Sequence, residues 1–222
     1  MPTLKGLVLD LDGTLVDSLP DLVAVLNQVL GDFGVPALTA AEARPMVGDG
    51  TLRLVERALA ARGVTPDQIT PAQSRFLALY EARPARLSRP YAGVPEILAQ
   101  LSAAGWLCAL CTNKPERATR VMLSELDLDR FFRAIITGDS LPQKKPDPAP
   151  MRAALAALEV PPYCAVAVGD HANDLRAAAG AGLRAIFARY GYGTLTPDLP
   201  RPTAVIGAFA ELPEKLARLD LG

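Results

Sequence analysis

The stretch Leu7-Val8-Leu9-Asp10-Leu11-Asp12-Gly13-Thr14 decides how this 222-residue chain is read. An apolar run without polar alternation is what a parallel strand covered on both faces requires. Asp10 then falls at the carboxyl lip of a buried strand, where open α/β sheets bind their ligands. A second carboxylate, Asp12, follows two residues later, just before a glycine turn. Carboxylates at such a place are costly unless paired, hydrogen-bonded or bound to a metal.

Beyond this strand, apolar runs alternate with amphipathic helical patterns. Strands are expected at Gly6–Asp10, Trp106–Thr112, Ala134–Thr137, Cys164–Gly169 and Arg184–Ala188, with a weaker one at Ala204–Ile206. Helices are expected between them at Val94–Ala104, Glu116–Glu125, Pro148–Glu159, Asn173–Ala181 and Phe209–Leu219. The alternation predicts an α/β fold with a doubly wound, mostly parallel sheet and helices on both faces. Residues 15–84 break it with helical patterns alone, at Leu19–Phe33, Ala40–Met46, Thr51–Arg62 and Pro71–Ala82. That segment reads as an inserted bundle, giving a core of residues 1–14 and 85–222 and a helical cap of residues 15–84. Its two connections, near Val16 and near residues 84–90, are the natural hinges. Ser18 is the expected N-cap of the first cap helix, with Asp21 favourable to its dipole.

Bulk properties exclude other classes. Half of the residues are hydrophobic and 21% are charged, as in an ordinary globular protein. A net charge of -1 provides no field for nucleic acid or anionic lipid. No apolar run is long enough to span a bilayer, and the N-terminus carries no signal peptide pattern, so a cytoplasmic location is expected. Cys108 and Cys111 form a Cys-x-x-Cys, but inside a strand pattern their thiols point to opposite faces. With Cys164 opening another apolar run, all three read as core residues.

Polar clusters follow four of the strands. Asp10 and Asp12 follow the first, Thr112-Asn113-Lys114 the second, Lys145-Pro146 lies in the loop after the third, and Gly169-Asp170-His171-Ala172-Asn173-Asp174 follows the fourth. Strand ends of a parallel sheet share one edge, so these clusters converge. Carboxylates, a hydroxyl and an ammonium gathered there suit metal-assisted phosphoryl chemistry. Such chemistry needs an Asp nucleophile (Asp10) and a proton carrier (Asp12). It also needs carboxylates for Mg²⁺ (Asp10 and Asp170, with the Asp12 main-chain carbonyl). Thr112, Asn113 and Lys145 are expected to bind the phosphoryl oxygens and Asp174 to orient a neighbouring group.

The same residues resemble the four motifs of the haloacid dehalogenase-like (HAD) phosphohydrolases, in order: Asp10-x-Asp12-Gly-Thr, Thr112 with Asn113, Lys145 before a proline, and Gly169-Asp170-x-x-x-Asp174. The helical insertion resembles that family's type 1 cap. Pro90-Tyr91-Ala92-Gly93-Val94, Ala177-Ala178-Ala179-Gly180-Ala181-Gly182 and Tyr190-Gly191-Tyr192-Gly193 look like its phosphoglycolate phosphatase branch. The resemblance implies a Mg²⁺-dependent phosphatase working through an aspartyl-phosphate on a small phosphate ester, 2-phosphoglycolate first, as a monomer or homodimer. Phosphatases of sugar phosphates, N-acetylmuramate 6-phosphate or pyrophosphate, and β-phosphoglucomutase-like mutases, share the same core residues. A dehalogenase is disfavoured by Asp12, and a phosphonatase by the absence of lysine from residues 15–84. A catalytically silent binding domain should have lost Asp10 or Asp12, and both are present.

Four further residues carry weaker expectations. His171, the only histidine, reads as a solvated loop or helix-start residue. Asp49, between two glycines, is either turn chemistry or part of a cap loop facing the site. Arg44 and Arg53 flank it and are candidates to meet a substrate carboxylate.

Overall fold

The computed structural model describes residues 5–219; residues 1–4 and 220–222, the two ends of the expected core spans, lie outside the described residues. The chain starts with β1 (Lys5–Leu9), a short β2 (Val16–Asp17), and then four helices: α1 (Leu19–Asp32), α2 (Ala40–Ala43), α3 (Thr51–Ala60) and α4 (Ile69–Tyr80). It continues through β3 (Arg89–Pro90), α5 (Val94–Ala103), β4 (Trp106–Cys111), α6 (Glu116–Glu125) and β5 (Phe132–Ile136). The last part holds α7 (Ala149–Leu158), β6 (Ala165–Gly169), α8 (Ala172–Gly180), β7 (Arg184–Ala188), β8 (Ala204–Ile206) and α9 (Leu212–Ala217).

Six strands form one parallel sheet in the order β5-β4-β1-β6-β7-β8. The order reverses at β1, which has β4 on one side and β6 on the other. The chain runs from β1 to β4 on one side and later returns from β5 to β6 on the other, so the flanking loops part and open a crevice at the carboxyl ends of the three strands. The apolar run of β1 feeds both faces. Leu7 and Leu9 enter one fully buried cluster, and Val8 enters a second. Cys108 and Cys111 divide between the same two clusters, so their thiols diverge as their strand spacing requires. Burial pushes both thiols up to about 12, which keeps them protonated and apolar.

The helix-only region lies between β2 and β3, which pair antiparallel through Val16–Pro90 and Asp17–Arg89. The chain therefore leaves and re-enters the sheet domain at one two-stranded tie. Asp21 reinforces it: its buried carboxylate accepts from the Leu87 and Ser88 amides at 2.8 and 2.7 Å and from the Ser88 hydroxyl at 2.6 Å. Phe76 and Tyr80 on α4 are fully buried and stacked, and they anchor the region against α1 and α3.

Two local expectations give way. The pattern at Ala40–Met46 is an α-turn followed by a 3₁₀ turn at Arg44–Met46, because Pro45 cannot donate into a continuing α-helix. The Ser18 hydroxyl makes no cap bond. Instead the Tyr192 Oη, 174 residues away in sequence, accepts from the Ser18 and Leu19 amides at 2.7 and 2.9 Å.

Candidate active site

β1 ends at the crevice, and there the chain turns tightly. The Leu11 carbonyl accepts from the Thr14, Leu15 and Val16 amides, which holds Asp10 and Asp12 on the lip. Gly13 sits at φ +84°, and a Cβ there would overlap the Asp170 carboxylate. Glycine is needed twice over at this position, for its backbone conformation and for the close approach.

Asp10, Asp170 and Asp174 each bring a carboxylate oxygen within 4.8 Å of the others, and all three are buried. The Asp170 carboxylate is oriented by the Thr14 hydroxyl at 2.9 Å and the Tyr192 amide at 2.6 Å. Lys145 faces the cluster. Its Nζ lies 2.8 Å from Asp10 and 2.6 Å from Asp174 and donates to the Cys111 carbonyl at 2.6 Å. An ammonium has three protons, so all are taken. Burial first, and then repulsion from Asp174, raise the Asp10 and Asp170 carboxyls well above the ordinary carboxylate range. Burial by itself would lower Lys145, but Asp10 and Asp174 outweigh it and hold the ammonium charged. Ionised together, three carboxylates against one ammonium would leave an uncompensated negative charge, which, after burial, is why Asp10 and Asp170 hold their protons so high. Oxygen donors gathered in this way fit a hard divalent cation such as Mg²⁺.

Above this cluster lies a cavity of about 40 Å³ lined by Asp10, Asp12, Thr112, Asn113 and Lys114 from the sheet edge. Leu22, Val47, Gly48, Gly50, Thr51, Leu54 and Tyr80 close it from the helical region. The Asp12 carboxylate points away from the acidic cluster and pairs with Lys114 Nζ at 2.9 and 3.1 Å. Lys114 is also bonded to the Tyr80 hydroxyl at 2.6 Å and lies over that ring. The Thr112 hydroxyl accepts from the Lys114 amide at 3.2 Å.

The converging clusters expected from the sequence meet here, with two differences. Asn113 was expected to bind phosphate. Its side chain is instead saturated, donating to the Gly48 and Lys145 carbonyls at 3.0 and 2.9 Å and accepting from the Lys145 amide at 3.0 Å. Only its main chain is left for a substrate. His171 stands at the start of α8, one of its two expected places, where it is half-buried: it caps the helix, accepting from the Asn173 amide, and packs on Gly48. Arg44 and Arg53 do not line the cavity. Arg44 donates to the Gly191 carbonyl and lies over the Tyr192 ring, while Arg53 pairs with Glu56 at the surface. The loop containing Asp49 does face the sheet edge, where Asn173 donates to Asp49 Oδ1 at 2.6 Å and Arg57 pairs with its other oxygen.

Sequence reasoning missed the buried Lys114–Tyr80 contact and the Tyr192 cap. The pair of aromatics and glycines at Tyr190-Gly191-Tyr192-Gly193, directly after an apolar strand, was the available signal for the second. Lys114 gave none, because a lysine after a strand is ordinarily solvated.

Residues 7–188 match the family model described as haloacid dehalogenase-like hydrolase, and the chain belongs to that family of enzymes. Within it, the chain is 46% identical over 221 residues to a phosphoglycolate phosphatase of Cereibacter sphaeroides, covering 97% of this chain and 99% of that one. Among solved structures it is similar to a "predicted phosphoglycolate phosphatase" from Haemophilus somnus, with TM-score 0.87, 31% identity, and coverage of 96% of this chain and 98% of the other. CbbY from Rhodobacter sphaeroides, solved in complex with xylulose-(1,5)bisphosphate, aligns with TM-score 0.76 and 28% identity over 95% of this chain and 96% of that one. Among the described residues, no helix is long and apolar enough to cross a membrane.

Proposed function

We propose that this chain is a Mg²⁺-dependent phosphatase of a small phosphate monoester, 2-phosphoglycolate first. The observation that carries the reading is the meeting of Asp10, Asp170, Asp174, Lys145 and Thr112 at the carboxyl ends of β1, β4 and β6. The relatives named phosphoglycolate phosphatase and the small size of the cavity support this substrate.

The residues divide the work as follows. Asp10 Oδ attacks phosphorus, forming an aspartyl-phosphate as the bond to the ester oxygen breaks. Asp12, once turned off Lys114 and carrying a proton taken from solvent, gives that proton to the leaving oxygen. It then takes a proton from water, whose oxygen attacks phosphorus and returns Asp10 as a free carboxylate. Thr112 and the Asn113 main chain hold phosphoryl oxygens, and the Lys145 charge stabilises them while it keeps Asp10 and Asp174 in place. Asp10, Asp170 and the Asp12 main-chain carbonyl would hold Mg²⁺, with Asp174 beside them. The bound ion supplies the positive charge that lets two anions approach. Residues 15–84 act as a cap hinged at the β2–β3 tie, with Gly48 and Asp49 docking on Asn113 and Asn173 to exclude water.

The test is turnover of 2-phosphoglycolate with Mg²⁺ by the wild type and Asp10→Asn. The wild type should release phosphate and carry a trappable phosphoryl group. The variant should lose at least 10³-fold in kcat, and equal rates would sink the nucleophile assignment.

A second reading, a sugar bisphosphate as substrate, draws on a groove of about 710 Å³ beside the site, which contains Arg53, Arg57 and Lys144. A higher kcat/KM for xylulose 1,5-bisphosphate than for 2-phosphoglycolate would favour it.

A further inference from the structure

We infer that Lys114 is the residue that recognises the substrate's tail, docking a second anionic group, a carboxylate one carbon from the ester oxygen. Its ion pair with Asp12 is the arrangement that the substrate replaces. The inference rests on the phosphatase reading above and deepens it to a substrate class.

Among the described residues lining the cavity, Lys114 is the one cationic side chain. Its side chain is 2% exposed, against 15% for Asp12. Lys145 cannot take this role, since Cys111, Asp10 and Asp174 occupy its ammonium. Lys114 has a different set of partners: a neutral hydroxyl on α4 and a carboxylate that must move during the reaction. When Asp12 turns to the leaving oxygen, the ammonium keeps only Tyr80. A buried charge without a counter-charge is strongly unfavourable, so a ligand carboxylate beside the leaving oxygen has a site ready for it. The N-terminus of α3 opens on the same cavity, and Gly50, its N-cap, offers no side chain to satisfy its amides. It adds potential of the same sign. Leu22, Val47 and Leu54 make much of the remaining roof apolar, and Thr51 supplies, among the described residues, its one side-chain hydroxyl besides Tyr80.

An ester with an uncharged tail leaves the Lys114 ammonium unpaired at the moment Asp12 departs, so discrimination arises from an unsatisfied buried charge rather than from fit. The link to Tyr80 also makes recognition depend on the cap, because that hydroxyl sits at the end of α4.

The experiment measures kcat and KM for 2-phosphoglycolate and for ethyl phosphate, at saturating Mg²⁺, in the wild type, Lys114→Met and Tyr80→Phe. The wild type should prefer 2-phosphoglycolate. In Lys114→Met the ratio of the two kcat/KM values should fall at least tenfold, chiefly through KM for 2-phosphoglycolate. An equal loss on both substrates, with the preference kept, overturns the inference and leaves Lys114 as a positioning residue for Asp12. A wild type with no preference for 2-phosphoglycolate defeats the substrate reading itself, an outcome distinct from the first. If Lys114→Met does not fold, Tyr80→Phe decides: a preference reduced threefold or more supports the inference, and an unchanged preference overturns it.

Discussion

Tyr192→Phe isolates a single oxygen that joins the two halves of this molecule. The phenol is 7% exposed, and its Oη accepts from the Ser18 amide at 2.7 Å and the Leu19 amide at 2.9 Å while donating to Asp17 at 2.8 Å. Burial, and then neighbouring Tyr91, push this hydroxyl well above its usual range, so it stays a neutral donor at any working pH. Removing it leaves two amides at the start of α1 without their acceptor, each costing about 1–3 kcal/mol when buried. The ring stays, so no cavity forms, and the half-exposed Asp17 can turn to water. The net loss should be about 2–4 kcal/mol. In a domain of this size that lowers Tm by about 5–15 °C. Urea denaturation and thermal melting of both proteins, with and without Mg²⁺, measure it. The Asp170 contact comes from the Tyr192 main-chain amide and survives the change, so kcat should stay within about threefold. Ser18→Ala is the contrast. An ordinary serine cap is worth about 1 kcal/mol, but this hydroxyl makes no cap bond, so the variant should lose less than about 0.5 kcal/mol. A Tyr192→Phe protein within about 0.5 kcal/mol of wild type would refute the reasoning.

Two predictions concern the acidic cluster. Asp10 and Asp170 are raised from 3.8 toward about 8 and about 7 by burial and then by Asp174. A raised carboxyl favours the folded state below its unfolded value, and that contribution is lost as pH climbs through the folded one. The metal-free protein should therefore lose stability between about pH 4 and pH 8, while added Mg²⁺ should raise Tm more at pH 8 than at pH 6. Equal Mg²⁺ shifts at the two pH values, read by differential scanning fluorimetry, would contradict this. Lys145→Met removes the ammonium shared by two buried carboxylates, and breaking such a pair costs about 3–5 kcal/mol. Its loss of stability in urea should be largest at pH 8 and shrink at pH 5, where Asp10 is protonated; a pH-independent loss would count against it.

Much of the core was legible because local chemistry dictates it. A strand covered on both faces must be apolar throughout, and that marks β1, β4 and β6 in the chain. Parallel connections then bring Asp10, Thr112, Lys145 and Asp170 to one edge whatever lies between. Pro45 likewise contained its own outcome, since beyond the first turn a proline removes a donor that a continuing α-helix needs. The sequence by itself thus determined which carboxylates, hydroxyl and ammonium meet, and the hydrolase family to which they belong. Other features depend on partners far apart in the chain, and only the tertiary structure decided them. A phenol at Tyr192 displaced Ser18 as the cap of α1 because burial gave two amides no other acceptor. The Asn113 amide is taken up by the carbonyls of Gly48, 65 residues away in the helical region, and of Lys145, 32 residues away in the loop after β5. Lys114 became a buried cation between Asp12 and Tyr80, although nothing in Thr112-Asn113-Lys114 separates it from a solvated lysine. Spacing along the chain specifies strands and turns. Burial, and the demand it places on every polar atom for a partner, is set only once distant segments pack together.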